Sequence, residues 1–307
     1  MSVATHSHDE LIIDSNAPIP TWFKIGGRAD RFARPRTSEE LVRCVRIDPA
    51  LRVLGDGANL LVHDDGVPEL VVSLSDPAWK RIEIDPRTGR VLAGAGASLP
   101  RLIKATIDAG LEGIEGLGGI PATVGGAAIM NAGGRFGQIG DVVQCVHGID
   151  REGIEVVRDR REIAFDYRRS GLNDIIITAV ELLLRPADKA SLRTRHLEVM
   201  AYKKDSQPLA ADSAGCVFKN PTLIADVDGI GARGQRVSAG MLIDRSGCKG
   251  MSLGGASVSE CHGNFIVTAT GCRASDVLGL MERVAQRVLD RFGVKVDPEI
   301  VIWRREP

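Results

Sequence analysis

The chain has 307 residues, of which 44% are hydrophobic and 26% charged, and its formal net charge is -1. This length allows about two domains with sizeable cores, and the near-zero charge argues against a dedicated nucleic-acid surface, which would normally show a basic excess. The first residues lack the basic and apolar segments of an export signal, and no run approaches the ~20 apolar residues of a membrane helix. We therefore expect a cytoplasmic globular protein that does not insert into membranes.

Cysteine and histidine usage sets three further expectations. The six cysteines are scattered without a CxxC pair, and the missing secretion signal favours free thiols over disulfides. The six histidines show no metal-ligand spacing, so the sequence predicts no metal site. His262, in SECHGNFIV, is expected to pack or to form hydrogen bonds rather than to catalyse.

Hydrophobic periodicity and turn residues predict mixed helices and strands along the chain. In chain order they are a helix at 37–45, strand–loop–strand at 52–62, a hairpin at 80–96, a helix at 98–110, a long glycine-rich loop at 113–140, a hairpin around 150–153, a buried strand at 175–184, and then helices at 189–204 and 274–293 and a strand at 294–303. Thr37 can cap the first helix, and the side chain of Glu40 can bond back to the cap residue as in a capping box. Ser98 is the expected cap of the second helix, and Gly110 is the residue at which it is expected to end. Without strict βαβ alternation, the fold class is α+β.

Two glycine clusters mark the candidate ligand site, LGDGANLL (54–61) and GLGGIPATVGGAAIMNAGG (116–134). Glycine lets the backbone approach a ligand closely and adopt positive φ, so that successive N–H groups can point at one anion. Two such loops favour a pyrophosphate ligand, and the alternative is that they are only tight turns. A Rossmann site is a poor match, because GAGASL (94–99) lacks the third glycine of that fingerprint.

Seven motifs in a fixed order carry a resemblance to a known enzyme family. They are FKIGGRAD (23–30), GDGANLLV (55–62), GIPATVGGAAIMNAGG (119–134), DYRRSG (166–171), SAGCVFKNP (213–221), AGMLIDRSGCKG (239–250) and VDPEI (296–300). Over roughly residues 18–303 the chain resembles UDP-N-acetylenolpyruvoylglucosamine reductase, also called UDP-N-acetylmuramate dehydrogenase. With only two tyrosines, Tyr167 and Tyr202, it resembles the shorter subtype that lacks an extra tyrosine-bearing loop.

The resemblance implies a two-subdomain FAD-binding domain of the vanillyl-alcohol-oxidase (PCMH) type at 18–190 and a smaller α+β substrate domain at 205–307. It implies that FAD is held non-covalently by two loops and a segment near the flavin: Gly55, Asp56, Gly57, Ala58, Asn59 and Leu60; Gly119, Ile120, Pro121, Thr123, Val124, Gly125 and Gly126; and Asn131, Ala132 and Gly133. The family more often has serine at position 58 and glycine at 122, where this chain has alanine at both. Both changes are small.

The reaction that the resemblance implies makes demands on three residues. NADPH reduces the flavin, which then gives a hydride to an enolpyruvyl ether and leaves negative charge that must be stabilised and protonated. Arg168 matches the family's catalytic arginine, and its planar fork suits a carboxylate. Glu299 matches the catalytic glutamate, with Asp297 as the competing carboxylate, and Cys216 stands where most members carry the serine proton donor. A thiol is intrinsically the readier acid, and the alternative is a packed, inert cysteine.

The same resemblance assigns the substrate, a UDP-sugar of peptidoglycan precursor synthesis, to Tyr167, Lys219 and Asn220. Lys203 and Lys204 could meet its diphosphate, although a surface lysine pair is more often solvated. Two alternatives remain open: another FAD-dependent oxidase on the same scaffold, and a non-catalytic nucleotide-binding paralogue.

Overall fold

The computed structural model describes residues 11–305. The N-terminal segment expected to lack an export signal lies outside the described residues, and so do the last two residues of the expected second domain. Within 11–305 the helices are α1 (Ser38–Ile47), α2 (Leu99–Ala109), α3 (Val124–Ile129), α4 (Lys189–Ser206), α5 (Ala239–Arg245) and α6 (Ala274–Phe292). The strands are β1 (Ile13–Pro18), β2 (Arg28–Ala33), β3 (Arg52–Leu54), β4 (Leu60–Val62), β5 (Val67–Ser73), β6 (Ile82–Asp85), β7 (Arg90–Gly94), β8 (Leu111–Glu112), β9 (Gly133–Gly134), β10 (Gly137–Gln138), β11 (Val143–Asp150), β12 (Glu155–Asp159), β13 (Ile175–Leu183), β14 (Arg185–Pro186), β15 (Ser252–Leu253), β16 (Ala256–Val258), β17 (Ile266–Thr268) and β18 (Val301–Trp303). This mixture confirms the α+β class.

Two sheets organise the first part of the chain. One has the order β1-β2-β5-β3, in which β5 is parallel to both of its neighbours. The other is antiparallel, with the order β12-β11-β13-β7-β6. A single hydrophobic core joins α1 and α2 to both sheets, with Leu41, Leu70, Leu102 and Val180 fully buried within it.

The capping residues explain where the first two helices begin and end. The side chain of Thr37 accepts a hydrogen bond from the backbone N–H of Glu40 at 3.2 Å, which confirms the predicted cap. Ser98 occupies the cap position of α2, but its side chain makes no capping hydrogen bond, so that part of the prediction is wrong. Pro100, at the second position of the helix, has no N–H for the cap to bind, and the N–H of Leu99 donates to the carbonyl of Ala122 at 2.9 Å. Gly110 ends α2 in the left-handed region, with φ of 77°, as predicted.

Residues 113–140 are more ordered than the expected glycine-rich loop. They contain α3 and the short pair of strands β9 and β10, so the prediction of one long loop is wrong. Val124, Ala127 and Ala128 are buried on one face of α3 at helical spacing. The adjacent glycines have poor helix propensity and hid this short amphipathic pattern.

The C-terminal part packs α5 and α6 with the three-stranded sheet β15-β16-β17. The predicted apolar face of α6 is buried, and the helix ends at Gly293, with φ of 67°. Residues 294–303 do not form one strand as expected, because only β18 at the end of that segment is regular. Pro298 has no N–H to donate to a ladder, which accounts for the interruption.

The two parts of the chain share packing. Strand β18 pairs in parallel with β4, and Trp303 packs in a core cluster with Val62 and Val71. Phe23 and Leu61 belong to the core that α5 and α6 form. The domain boundary between 190 and 205 stays a prediction, and α4 occupies that interval. None of the helices within residues 11–305 has both the length and the apolar character needed to cross a bilayer.

Candidate active site

A cavity of about 450 Å³ is lined by residues of both sheets in the first part of the chain. The two predicted glycine loops both reach it. Gly55 and Asp56 line it from the first loop, and Thr123, Gly125 and Gly126 line it from the second. Two glycine segments that are separated in the sequence therefore meet at one space, as a site for a cofactor pyrophosphate requires.

The loops are packed so closely that larger residues would not fit. A Cβ on Gly55 would lie 2.9 Å from Oγ1 of Thr123, and one on Gly125 would lie 2.9 Å from the Cβ of Ala95. Gly57 combines a φ of 66° with a neighbouring carbonyl 2.3 Å from the position of a Cβ. A side chain at any of these positions would force a neighbour to shift. Because Gly55 and Gly125 also line the cavity, their backbone can approach a dinucleotide cofactor such as FAD.

The remaining predicted cofactor residues do not line this cavity: Gly57, Ala58, Asn59, Leu60, Gly119, Ile120, Pro121, Val124, Asn131, Ala132 and Gly133. The side chains of Leu60 and Val124 are buried in the core. Asn59 donates from Nδ2 to the carbonyl of Glu299 at 3.3 Å, so the first loop is tied to the segment that carries the predicted glutamate.

Several cavity residues were missed by the sequence reasoning. Ala95 and Gly96 line the cavity together with Lys80 and Arg151. The first two lie in GAGASL, the segment that lacks the third glycine of a Rossmann fingerprint. Its glycines are the signal by which the sequence could have placed this segment at the cavity. The two cations lie in ordinary strand or turn contexts and gave no signal.

Asn131 joins the second loop to the turn that carries Arg168. Its Nδ2 donates to Oε1 of Gln138 at 3.1 Å and to the carbonyl of Asp166 at 3.0 Å, and its Oδ1 accepts from the N–H of Gly140 at 3.0 Å. Its side chain is buried and engaged with the protein. Its amide therefore acts as a brace between the loop and the turn.

The turn holds Arg168 in an unusual backbone conformation. Its φ is 59°, in the left-handed region that non-glycine residues rarely adopt. Ser170 fixes the turn by donating from Oγ to the carbonyl of Ile129 at 2.9 Å, and Arg168 itself donates from Nη1 to the carbonyl of Gly133 at 2.7 Å. Such strain persists only where surrounding contacts fix it, and it is concentrated at functional sites.

Arg168 forms an ion pair with Glu299 across the two parts of the chain. Nε of Arg168 lies 2.5 Å from Oε1 of Glu299, and both side chains are largely buried. The Nε–H is not aligned with that oxygen, so the contact is an ion pair rather than a well-directed hydrogen bond. Burial raises the pKa of Glu299, and the charge of Arg168 opposes that rise. The carboxyl is therefore easier to protonate than an ordinary glutamate.

Cys216 lies beside this pair. The N–H of Glu299 donates to the carbonyl of Val217 at 2.8 Å, which brings the glutamate next to the cysteine segment. Burial, and then the charge of Glu299, raises the pKa of the Cys216 thiol to about 12, with Arg168 acting in the opposite direction. The reference pKa of a free thiol therefore does not apply to Cys216, because burial penalises the thiolate, whereas the expectation that a thiol is a readier acid than the serine hydroxyl stays a prediction. We call Arg168, Cys216 and Glu299 the inner cluster.

The predicted substrate residues surround the inner cluster. Tyr167 accepts at its hydroxyl from the N–H of Asn220 at 3.2 Å, and Oδ1 of Asn220 accepts from the N–H of Ala239 at 2.9 Å. The charge of Lys219 acts on Glu299 and lowers its pKa, against the larger effect of burial. Arg236, which the sequence reasoning missed, stacks its guanidinium 4.2 Å from the centre of the Tyr167 ring.

Lys203 differs from its neighbour Lys204. It is partly buried, and its Cδ would lie 2.9 Å from a Cβ on Gly119, whereas Lys204 is exposed. Burial, followed by the charge of Arg168, lowers the pKa of Lys203 to about 8, and the cysteine of the inner cluster acts in the opposite direction. The expectation of a solvated pair holds for Lys204 alone.

Two other candidates lie outside the cluster. Asp297 is exposed and pairs with Lys295 at 3.3 Å, so it does not compete with Glu299 for the site. His262 accepts at Nδ1 from the N–H of Asn264 at 3.2 Å and packs edge-on against Phe265, in keeping with the expected packing role. Ser213, by contrast, has a buried Oγ with no hydrogen-bond partner within residues 11–305.

The fold and this site define a flavoprotein with an FAD-binding domain of the vanillyl-alcohol-oxidase type and a second, smaller α+β part, as the sequence predicted. Residues 29–157 match the FAD binding domain, and residues 207–303 match the C-terminal domain of UDP-N-acetylenolpyruvoylglucosamine reductase. The reductase of Moorella thermoacetica is 38% identical over 301 residues, which cover 96% of this chain and 94% of that one. The reductase of Heliobacterium modesticaldum is 40% identical, with 91% of this chain and 86% of that one covered.

A solved structure agrees with these sequence relatives. The crystal structure of UDP-N-acetylenolpyruvylglucosamine reductase (MurB) from Thermus caldophilus superposes with a TM-score of 0.81 at 39% identity. It covers 96% of this chain and 100% of that one. The chain belongs to the UDP-N-acetylenolpyruvoylglucosamine reductase family.

Proposed function

We propose that this chain is an NADPH-dependent flavoenzyme that reduces UDP-N-acetylglucosamine enolpyruvate to UDP-N-acetylmuramate, in the cytoplasm, during peptidoglycan precursor synthesis. Family membership over nearly the whole chain supports the substrate class. The observation that carries the proposal is the ion pair of Arg168 with Glu299. Glu299 lies within the residues that match the C-terminal domain of the family, whereas Arg168 precedes them, so the pair joins the two parts of the chain.

The reaction needs a hydride and a proton on neighbouring carbons. FAD, held at the cavity by the two glycine loops through residues such as Gly55 and Gly125, would supply the redox chemistry, which is hydride transfer from NADPH to the methylene carbon of the enolpyruvyl group. The adjacent carbon of the substrate then carries negative charge, delocalised into its carboxylate. The protein must stabilise that charge and deliver one proton to that carbon.

Arg168 and Glu299 are suited to the first task. The guanidinium of Arg168 cannot lose its charge, and its planar set of N–H groups suits a substrate carboxylate bound beside Glu299. Because burial raises the pKa of Glu299, its carboxyl can bind a proton and donate a hydrogen bond to the developing charge.

Cys216 is suited to the second task. With a pKa raised to about 12 by burial, the thiol is fully protonated at neutral pH and has a proton to give. Transfer breaks the S–H bond and forms a C–H bond on the substrate, and the thiolate left behind regains a proton from water. The nearby positive charge of Arg168 stabilises that thiolate while it exists.

Positive groups around the cluster fit the rest of the substrate. Lys203, Lys219 and Arg236 lie near Tyr167 or the inner cluster, and phosphate oxygens are their natural partners. Asn220 holds the N-terminus of α5 and is assigned to the sugar nucleotide through its position beside Tyr167.

The test measures both half-reactions separately by stopped-flow spectroscopy of the flavin. NADPH alone is expected to bleach the flavin, and the enolpyruvyl sugar nucleotide is then expected to restore the oxidised spectrum under anaerobic conditions. A protein that bleaches but does not recover with this substrate would be a different oxidase or a non-catalytic paralogue. A protein that purifies without flavin and cannot be loaded with FAD would contradict the proposal at its first step.

A further inference from the structure

A second group of chemically reactive side chains lies on the antiparallel sheet, away from the inner cluster. Cys145 and His147 are two residues apart on β11 and therefore point to the same face of the sheet. Glu181 of β13 is the direct cross-strand partner of Cys145. Val146 and Val180, which alternate with them, are fully buried on the opposite face. We call Cys145, His147 and Glu181 the sheet cluster.

The spacing of the three ligand atoms matches a metal coordination shell. Sγ of Cys145 lies 3.6 Å from Nε2 of His147 and 3.7 Å from Oε2 of Glu181, and all three atoms lie within 4.8 Å of one another. Tetrahedral Zn²⁺ with bonds of about 2.3 Å to sulfur and about 2.1 Å to nitrogen or oxygen separates its ligand atoms by about 3.6 Å. Little side-chain movement would be needed to bind the ion.

The carboxylate is also oriented by a neighbour. Arg90 of β7 donates to Oε1 of Glu181 from Nε at 2.9 Å and from Nη2 at 2.5 Å, which leaves Oε2 on the side of the sulfur. Such outer contacts fix the orientation of metal-binding carboxylates and histidines. Asp159 of β12 flanks Cys145 on its other side and adds negative charge, which favours a cation at the cluster.

We propose that Cys145, His147 and Glu181 form a binding site for a divalent transition metal of the zinc class. The mixture of thiolate, imidazole and carboxylate favours Zn²⁺ over Mg²⁺ or Ca²⁺, which prefer oxygen ligands alone. All three side chains are partly exposed, so a fourth position can be taken by water. The sequence expectation of no metal site rested on histidine spacing, which overlooks a ligand supplied by the neighbouring strand.

The test uses the FAD-loaded protein, freed of metal with a chelator and titrated with Zn²⁺ against a chromophoric competitor. We expect one tight site per chain in the unmodified protein and in Cys261→Ser, which removes an exposed cysteine elsewhere. Cys145→Ser and His147→Ala are expected to weaken binding by about 100-fold or more, and Arg90→Gln by about tenfold. Retention of FAD and of the circular dichroism spectrum reports that each variant is folded.

A second measurement needs no variant. Zn²⁺ should slow the alkylation of Cys145 in the unmodified protein, as followed by peptide mass spectrometry, while Cys261 reacts at an unchanged rate. Alkylation of Cys145 at the same rate with and without Zn²⁺ would overturn the proposal. So would Zn²⁺ affinity that survives Cys145→Ser but is lost in Cys216→Ser, because the ion would then bind at the inner cluster.

Discussion

Two cysteines of this chain lie beside a glutamate that is paired with an arginine: Cys216 with Glu299 and Arg168, and Cys145 with Glu181 and Arg90. The residue types are the same, but the surroundings differ. The inner cluster is drawn from three segments that lie far apart in the sequence, and it lies between the two parts of the molecule. The sheet cluster is drawn from adjacent strands on one face of a sheet.

Burial and a single imidazole account for the chemical difference. Burial raises the pKa of the Cys216 thiol to about 12, so the sulfur keeps its proton at neutral pH beside the charge of Arg168. Cys145 has the imidazole of His147 at 3.6 Å, which offers a lone pair to a metal ion. We therefore propose that similar thiol, carboxyl and guanidinium groups serve proton donation in one place and metal binding in the other.

The largest expected effect comes from removing the proton donor. Cys216→Ala should slow substrate-dependent reoxidation of the flavin by about 100-fold or more, because general acid catalysis contributes roughly 10²–10⁴-fold. Flavin reduction by NADPH should be unchanged, and Cys216→Ser should keep much of the activity. Cys145→Ala is the matched control and should change neither half-reaction in stopped-flow traces. Normal turnover by Cys216→Ala would mean that the proton comes from another group.

The paired arginines provide the second comparison. Arg168→Lys should slow the substrate half-reaction by about 100-fold, since lysine lacks the planar fork and one preorganised charge contact at a reacting centre is worth roughly 10²–10³-fold. Arg90→Lys should leave both half-reactions within about twofold, because the guanidinium of Arg90 pairs with Glu181 of the sheet cluster, away from the inner cluster. Equal losses in the two variants, measured at saturating substrate, would contradict the assignment of Arg168.

The sequence predicted most of the regular elements, and the failures have identifiable physical causes. The cap at Thr37 and the stop at Gly110 are local features and were predicted correctly. The side-chain cap at Ser98 lacks one of its two usual donors, because Pro100 at the second position of the helix has no N–H. Helix α3 was missed because its glycines lower local propensity while tertiary burial of Val124 stabilises it.

The candidate site likewise has a part that the sequence predicts and a part that it does not. Glycine-rich loops are visible in the composition of a short segment, so Gly55 and Gly125 could be predicted as cavity residues from the sequence. The inner cluster was proposed from its resemblance to known motifs, but the raised pKa of Cys216 depends on burial, which no local pattern encodes. The sheet cluster was missed because the ligand from β13 becomes a neighbour of Cys145 only through strand register.

A smaller effect should appear in the reactivity of the thiols. Because burial raises the pKa of Cys216 to about 12, its alkylation rate should rise about tenfold per pH unit between pH 8 and pH 10, without reaching a plateau. Cys261 is exposed and serves as the reference for reagent access in the same digest. A plateau for Cys216 below pH 9, in peptide mass spectrometry of metal-free protein, would show that its thiolate is stabilised far more than burial permits.

The smallest effect tests whether Lys203 belongs with the inner cluster. Burial lowers its pKa to about 8, so the side chain is positive at pH 7 and loses its charge as the pH rises through 8. If it contacts a diphosphate, KM for the sugar nucleotide should rise about threefold between pH 7 and pH 9, in line with one partly screened charge contact. Lys203→Met should raise KM at pH 7 and flatten this rise, whereas the exposed neighbour in Lys204→Met should leave the profile unchanged. A pH profile of Lys203→Met that overlays the unmodified enzyme would remove Lys203 from the site, and the positive charge assigned to the phosphates would then rest on Lys219 and Arg236.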